Sequence, residues 1–204
     1  IDTIVLSVWL GLLATVISLL IAYPLAMIMA NKGPEKQSTM TMLIMLPMWM
    51  NFLLRTYSWM TILEDNGLVN TFITSIGLEP LQLINTRGAV VLGMVYNFLP
   101  YMILPIYTVM LKADRSLIEA AQDLGCNKFQ VFKNITIPLS LPGVVSGFTM
   151  VFVPSVSTFY ISQKLGGNKT FLIGDAIEFL FNNGPDYYNV ASALSLVLMV
   201  MILI

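Results

Sequence analysis

Few side chains in this chain are equipped for bond chemistry. Histidine is absent and Cys126 is the single cysteine. Those two facts exclude an imidazole-activated nucleophile, a Cys/His zinc site and a disulfide within the chain. There is no Gly-x-Ser-x-Gly elbow, and no pair of aspartates lies inside an apolar run, which argues against an intramembrane enzyme. Gly166-Gly167-Asn168-Lys169-Thr170 has the composition of a phosphate loop. It lacks the Gly-Lys-Thr adjacency, the upstream glycine spacing and the preceding strand that such a loop needs. No catalytic residue, no metal ligand and no ATP site are therefore expected, and the chain by itself is not expected to be an enzyme. Its charged groups remain available to bind, pair and steer.

Those groups are set between long apolar stretches. The chain is 57% hydrophobic and 10% charged, against about 25% charged in a soluble domain, so an all-α integral membrane protein is expected. Five spans are visible, at about 3–31, 37–63, 88–111, 134–163 and 187–204, in one transmembrane domain covering 1–204. The chain opens on Ile1 without an initiator methionine and stops at Ile204 inside an apolar run. Both ends are expected to continue, with six spans in the full chain. Gly143 and Gly147 in the fourth span permit close approach of another helix. Outside the spans, a short interfacial helix is expected after the turn Asp65-Asn66-Gly67, and a helix in the second outer loop around Phe171 to Phe181.

Orientation follows from lysine and arginine. Loops 31–38 and 112–133 hold six, whereas loops 64–87 and 164–186 hold three. The first pair is expected to be cytoplasmic. The outer set carries the carboxylates Asp2, Glu64, Asp65, Glu79, Asp175, Glu178 and Asp186, a surface suited to a partner with a basic rim. Arg55 is the basic residue left inside a span, where a charge costs ~2.5–3.5 kcal/mol on insertion scales. It can pair with Glu64 or Asp65, snorkel to the outer surface, or meet an anionic substrate.

The longest charged, helix-compatible interruption is Glu119 to Pro138, EAAQDLGCNKFQVFKNITIP. Leu117, Ile118, Ala120, Ala121 and Leu124 fall on one side of a short helix, with Glu119, Gln122 and Asp123 on the other. Gly125 is placed to end that helix, and Asn127 to cap a second one carrying Phe129, Val131 and Phe132. Glu119-Ala120-Ala121, then Gly125, then Ile135-Thr136-Ile137-Pro138, resembles the EAA motif of ABC importer permeases, with isoleucine at 137 in place of the usual leucine. The resemblance extends from Tyr23-Pro24 through Leu46-Pro47 and Phe152-Val153-Pro154 to Leu165-Gly166-Gly167. The wider pattern is most similar to spermidine/putrescine permeases.

The resemblance implies a type I ABC importer transmembrane fold in a bacterial cytoplasmic (inner) membrane. It implies a second permease subunit in a heterodimer, an ABC ATPase dimer holding ATP and magnesium, and an extracytoplasmic substrate-binding protein. Lipid surrounds the spans, and no nucleic acid is involved. Glu119, Ala120, Ala121, Asp123, Gly125, Ile135, Ile137 and Pro138 would then couple to the ATPase; the alternative is an amphipathic helix resting on the inner leaflet. For a polyamine, carboxylates and aromatic faces are required, since cation–π attraction supplies ~0.5–2 kcal/mol per contact. The candidates are Trp49, Tyr57, Trp59, Tyr96, Phe159 and Tyr160, with Asp175 and Glu178 at the mouth and Asn51 and Asn97 as uncharged polar contacts. Aromatics also gather at membrane interfaces whatever the substrate, and asparagines bond neighbouring helices. Other solutes carried by related permeases are sulfate, iron, thiamine and phosphonates. A stand-alone secondary transporter or channel is a further alternative, although buried carboxylates for ion coupling are scarce and no inverted repeat is visible.

Overall fold

After Asp2 no charge occurs before Lys32, and in hydrocarbon such a run can satisfy its backbone only as a helix. A computed structural model describes residues 2–113, 115–167 and 170–203; Asn168 and Lys169 of the phosphate-loop-like string lie outside them. The run forms α1, Asp2–Ala30, which continues through Pro24. Next come α2 (Pro34–Trp49), α3 (Phe52–Leu63), α4 (Leu68–Ser75), α5 (Arg87–Lys112) and α6 (Arg115–Asp123). A short α7 (Lys128–Val131) passes through a π-helical turn, Phe132–Thr136, into α8 (Ile137–Ser157). A second π turn, Ser162–Gly166, precedes α9 (Ile173–Asn182), and a 3₁₀ turn leads into α10 (Tyr188–Leu203). Among the described residues, four helical stretches are long and apolar enough to cross a membrane: 2–30, 87–112, 128–157 and 185–202.

The span expected over 37–63 is two helices rather than one. Asn51 takes φ −57° and ψ 130°, and its Oδ1 accepts the Leu53 N–H at 2.8 Å, so a new helix starts there. At 16 and 12 residues, α2 and α3 are each shorter than the ~20 residues of a full crossing. Averaged hydropathy runs across such a break because both sides are apolar. Asn51, a candidate pathway contact, is thus a helix cap.

The chain forms two compact units: Ile1–Val16, Met50–Asn97 and Phe152–Ile204 in the first, Ile17–Trp49 and Phe98–Val151 in the second. In the first, Val156, Ile173 and Leu198 are buried among Ile4, Val8, Phe152, Ile177, Leu194, Met201 and Ile202. In the second, α8 lies directly on the backbone of α5. A Cβ on Gly143 would stand 2.9 Å from the Pro105 carbonyl, and one on Gly147 2.9 Å from Met102 Sδ. These glycines are four residues apart and so share one helix face.

Arg55 is 6% exposed, whereas Glu64 and Asp65 are exposed. Its Nε and Nη1 have no hydrogen-bond partner among the described residues, so neither expected carboxylate is bonded to them. Glu64 is nine residues further on, half a turn out of phase on a helix of 3.6 residues per turn. Burial also rules out the snorkelling expected for this side chain.

Candidate functional site

The elbow within 115–138 is built from local backbone chemistry. At the end of α6, Gly125 takes φ +85°, its N–H donates to the Gln122 carbonyl at 2.9 Å, and the Cys126 N–H reaches back to Ala121 at 3.0 Å. That paired pattern is a Schellman motif, which satisfies carbonyls that the helix end would otherwise leave open. Asn127 then starts α7 through a reciprocal capping box: its Oδ1 accepts the Gln130 N–H, while Gln130 Oε1 accepts the Asn127 N–H, both at 2.8 Å. At the base, the Ile137 N–H bonds the Phe132 carbonyl five residues back. Pro138 follows directly after this π turn, at the second position of α8.

This geometry sorts the motif residues. Ala121 is 7% exposed, and Ile118 and Ile135 line a small cavity of about 100 Å³ with Met27 and Met110. Glu119, Ala120, Asp123, Gly125 and Pro138 are exposed, and Ile137 is 39% exposed. The apolar stripe read from the sequence therefore divides in two. Leu117 and Leu124, at 47% and 86% exposure, join Ala120 at spacings of three and four residues, an outward ridge on one face. Ala121, expected to face a partner, packs against the chain itself.

Gly125 is required for its backbone conformation rather than for space, because nothing lies within 4 Å of a Cβ added there. A left-handed conformation costs a β-branched residue about 1–2 kcal/mol, and asparagine less. Gly125→Val should therefore loosen the elbow and raise its cleavage by protease several-fold, whereas Gly125→Asn should remain close to wild type. Equal cleavage of both variants would refute this account.

In the first unit, candidate aromatics meet edge to face. Trp59 and Tyr96 are 5.3 Å apart at 69°, and Tyr160 lies 6.1 Å from Phe52. Lys164 Nζ stands 5.8 Å over the Tyr160 ring, a cation–π contact supplied by the chain itself. Phe159 and Glu178 line an open, mostly apolar groove of about 640 Å³ between α8, α9 and α10. Tyr57 is half exposed and belongs to neither aromatic pair. Asn97 is buried: its Nδ2 donates to the Gly93 carbonyl at 2.9 Å, and its Oδ1 has no partner among the described residues. Trp49, 74% exposed, belongs to the second unit.

Asp175 is turned to a structural use. It is 2% exposed; Oδ2 accepts the Leu172 N–H at 2.7 Å and Oδ1 the Ser162 hydroxyl at 3.0 Å. Burial pushes its carboxyl above the usual aspartate range with help from nearby Glu178, against the lowering effect of those hydrogen bonds. Ser7 completes the lock, accepting the Ile173 N–H at 2.8 Å while donating to the Thr3 carbonyl. Ser7 and Asp175 together accept the Ile173 and Leu172 N–H groups at the start of α9, and Ser162 holds the Asp175 carboxylate in place. Ser7 and Ser162 had no sequence signal beyond a hydroxyl in an apolar segment. Asp175 had one, an acid in the first turn of an expected helix.

Comparison with known proteins bears on this arrangement. The family model for binding-protein-dependent transport system inner membrane components matches residues 4–204. The spermidine/putrescine transport system permease protein PotB of Haemophilus influenzae is 38% identical over 195 residues, 94% of this chain and 68% of that protein. Its Escherichia coli namesake is 36% identical over 193 residues, covering 93% and 70%. Among solved structures, a bacterial ABC transporter involved in the import of the acidic polysaccharide alginate superposes with a TM-score of 0.74 at 18% identity, over 98% of this chain and 76% of that one. That last likeness is one of fold.

Proposed function

The chain belongs to the family of binding-protein-dependent transport system inner membrane components, and from that premise we propose that it is a polyamine-translocating permease of an ATP-driven importer. It is a multi-pass membrane protein with the type I ABC importer fold. The observation that carries the mechanism is the outward ridge of Leu117, Ala120 and Leu124 on a helix closed by a Schellman motif and followed by a capping box. Such a ridge fits a groove on a separate ATPase, with Glu119 and Asp123 offering charge to a basic rim. Gly125 fixes the angle of the elbow, and Ile135, Ile137 and Pro138 root it in α8.

The partners of this reading are a second permease, an ATPase dimer that binds ATP and magnesium, and a substrate-binding protein meeting the acidic outer loops. The setting is a bacterial cytoplasmic membrane with residues 112–133 on the cytoplasmic side. ATP-driven closure of the ATPases would move the elbows and switch the opening of the pathway by rigid-body alternation. Trp59, Tyr96, Phe159, Tyr160 and Glu178 supply the aromatic faces and charge that ammonium groups need. Asp175 is held in place by the Leu172 N–H and the Ser162 hydroxyl, one on each oxygen.

The test is ATPase stimulation in the assembled transporter with its binding protein present, using spermidine, putrescine and sulfate in turn. Stimulation by the two polyamines and none by sulfate is expected. The opposite pattern would overturn the substrate assignment.

A further inference from the structure

A cavity of about 250 Å³, smaller than the groove beside α10, lies between the Ser162–Gly166 turn and α9, lined by Gln163, Thr170, Phe171, Asp175, Glu178 and Phe179 among others. Thr170 is 1% exposed, and its Oγ1 has no hydrogen-bond partner among the described residues. A buried hydroxyl without a partner is uncommon and calls for a ligand or a water. Glu178 accepts the Gln163 amide on Oε2, and an ionised carboxylate has lone pairs for further donors. Phe171 and Phe179 meet edge to face, 6.5 Å apart at 80°.

We infer that this cavity is a subsite for a primary ammonium group, the end of a short alkyl amine. It deepens the polyamine reading and rests on it for the choice of substrate. The chemistry selects the ligand. An ammonium can donate to Glu178 while its alkyl chain lies against the two phenyl rings, with the Thr170 hydroxyl a second acceptor in the same lining. An anion would be repelled by Glu178, and an apolar molecule would leave the hydroxyl unmet. The volume is several times the ~30 Å³ share of one water molecule, which leaves room for a chain of a few carbons.

The experiment measures putrescine uptake by the assembled transporter carrying Glu178→Gln, Glu178→Asp or Thr170→Val. Glu178→Gln is expected to raise KM tenfold or more with a much smaller change in kcat, with Glu178→Asp recovering part of the loss. Thr170→Val is expected to raise KM about threefold. Unchanged KM in both Glu178→Gln and Thr170→Val would overturn the subsite, as would a rise in thermal stability of Thr170→Val without any KM change. If Glu178→Gln fails to assemble, the near-isosteric Thr170→Val decides. Should the wild-type transporter not take up polyamines, the proposed substrate falls, and the subsite is judged separately by dialysis of butylamine against the purified complex. Binding lost in Glu178→Gln supports it; no binding, or displacement by sodium at equal concentration, overturns it.

Discussion

Replacing Leu124 by aspartate should reduce uptake at least 100-fold while leaving the permease folded in the membrane. Leu124 is 86% exposed, so the change disturbs no packing within the chain. Docked in a groove, the same position would trade a buried leucine side chain, ~1.5–3 kcal/mol, for an unpaired buried charge that costs several more. A loss of ~2.7 kcal/mol already corresponds to 100-fold in affinity. Co-purification should show the ATPase lost from the variant, with Leu117→Asp following in the same direction. Normal uptake with the ATPase still bound would remove the ridge from the mechanism.

A large effect on folding is expected at Gly174. A Cβ there would stand 2.6 Å from the Thr158 carbonyl oxygen and 2.7 Å from that of Ser157. Both are backbone atoms, so no side chain can swing aside to make room. Gly174→Val should destabilise the protein by about 3 kcal/mol, seen as an early thermal transition in detergent and poor recovery from the membrane. Gly88 provides the contrast: its added Cβ would meet only Thr86 Oγ1, at 3.8 Å. Gly88→Ala should therefore be neutral or gain up to about 1 kcal/mol from reduced chain entropy. A Gly174→Val protein that melts with the wild type would show that the start of α9 yields more readily than this packing allows.

What could be read from the sequence was what short-range chemistry dictates. A left-handed glycine, an asparagine cap and an apolar run long enough to cross a bilayer are specified by neighbouring residues, and Gly125, Asn127 and α1 appear as expected. Helix α4 was legible from its helical stripe for the same reason. The break at Asn51 was hidden because hydropathy is an average, whereas a cap is a single hydrogen bond. The candidate site divided along the same line. Spacing alone put Ala120 and Ala121 on one face, but which of them is buried depends on what α6 packs against. Asp175 looked like a free outer carboxylate because its partners, Leu172 and Ser162, are brought to it by the fold. Arg55 carries the same lesson, since its burial is set by a surface that no local pattern describes.

From Lys128 to Ser157 the chain is one uninterrupted helical rod of 30 residues, or roughly 45 Å at 1.5 Å per residue. A shove delivered near its foot would travel along the helix as a tilt. The wider coil at Phe132–Thr136, with its extra residue per turn, lets the rod twist slightly or slip register without snapping, and Pro142 and Pro154 each remove a backbone hydrogen bond further along. Torque and tilt would thus enter the membrane together along one stiff spar.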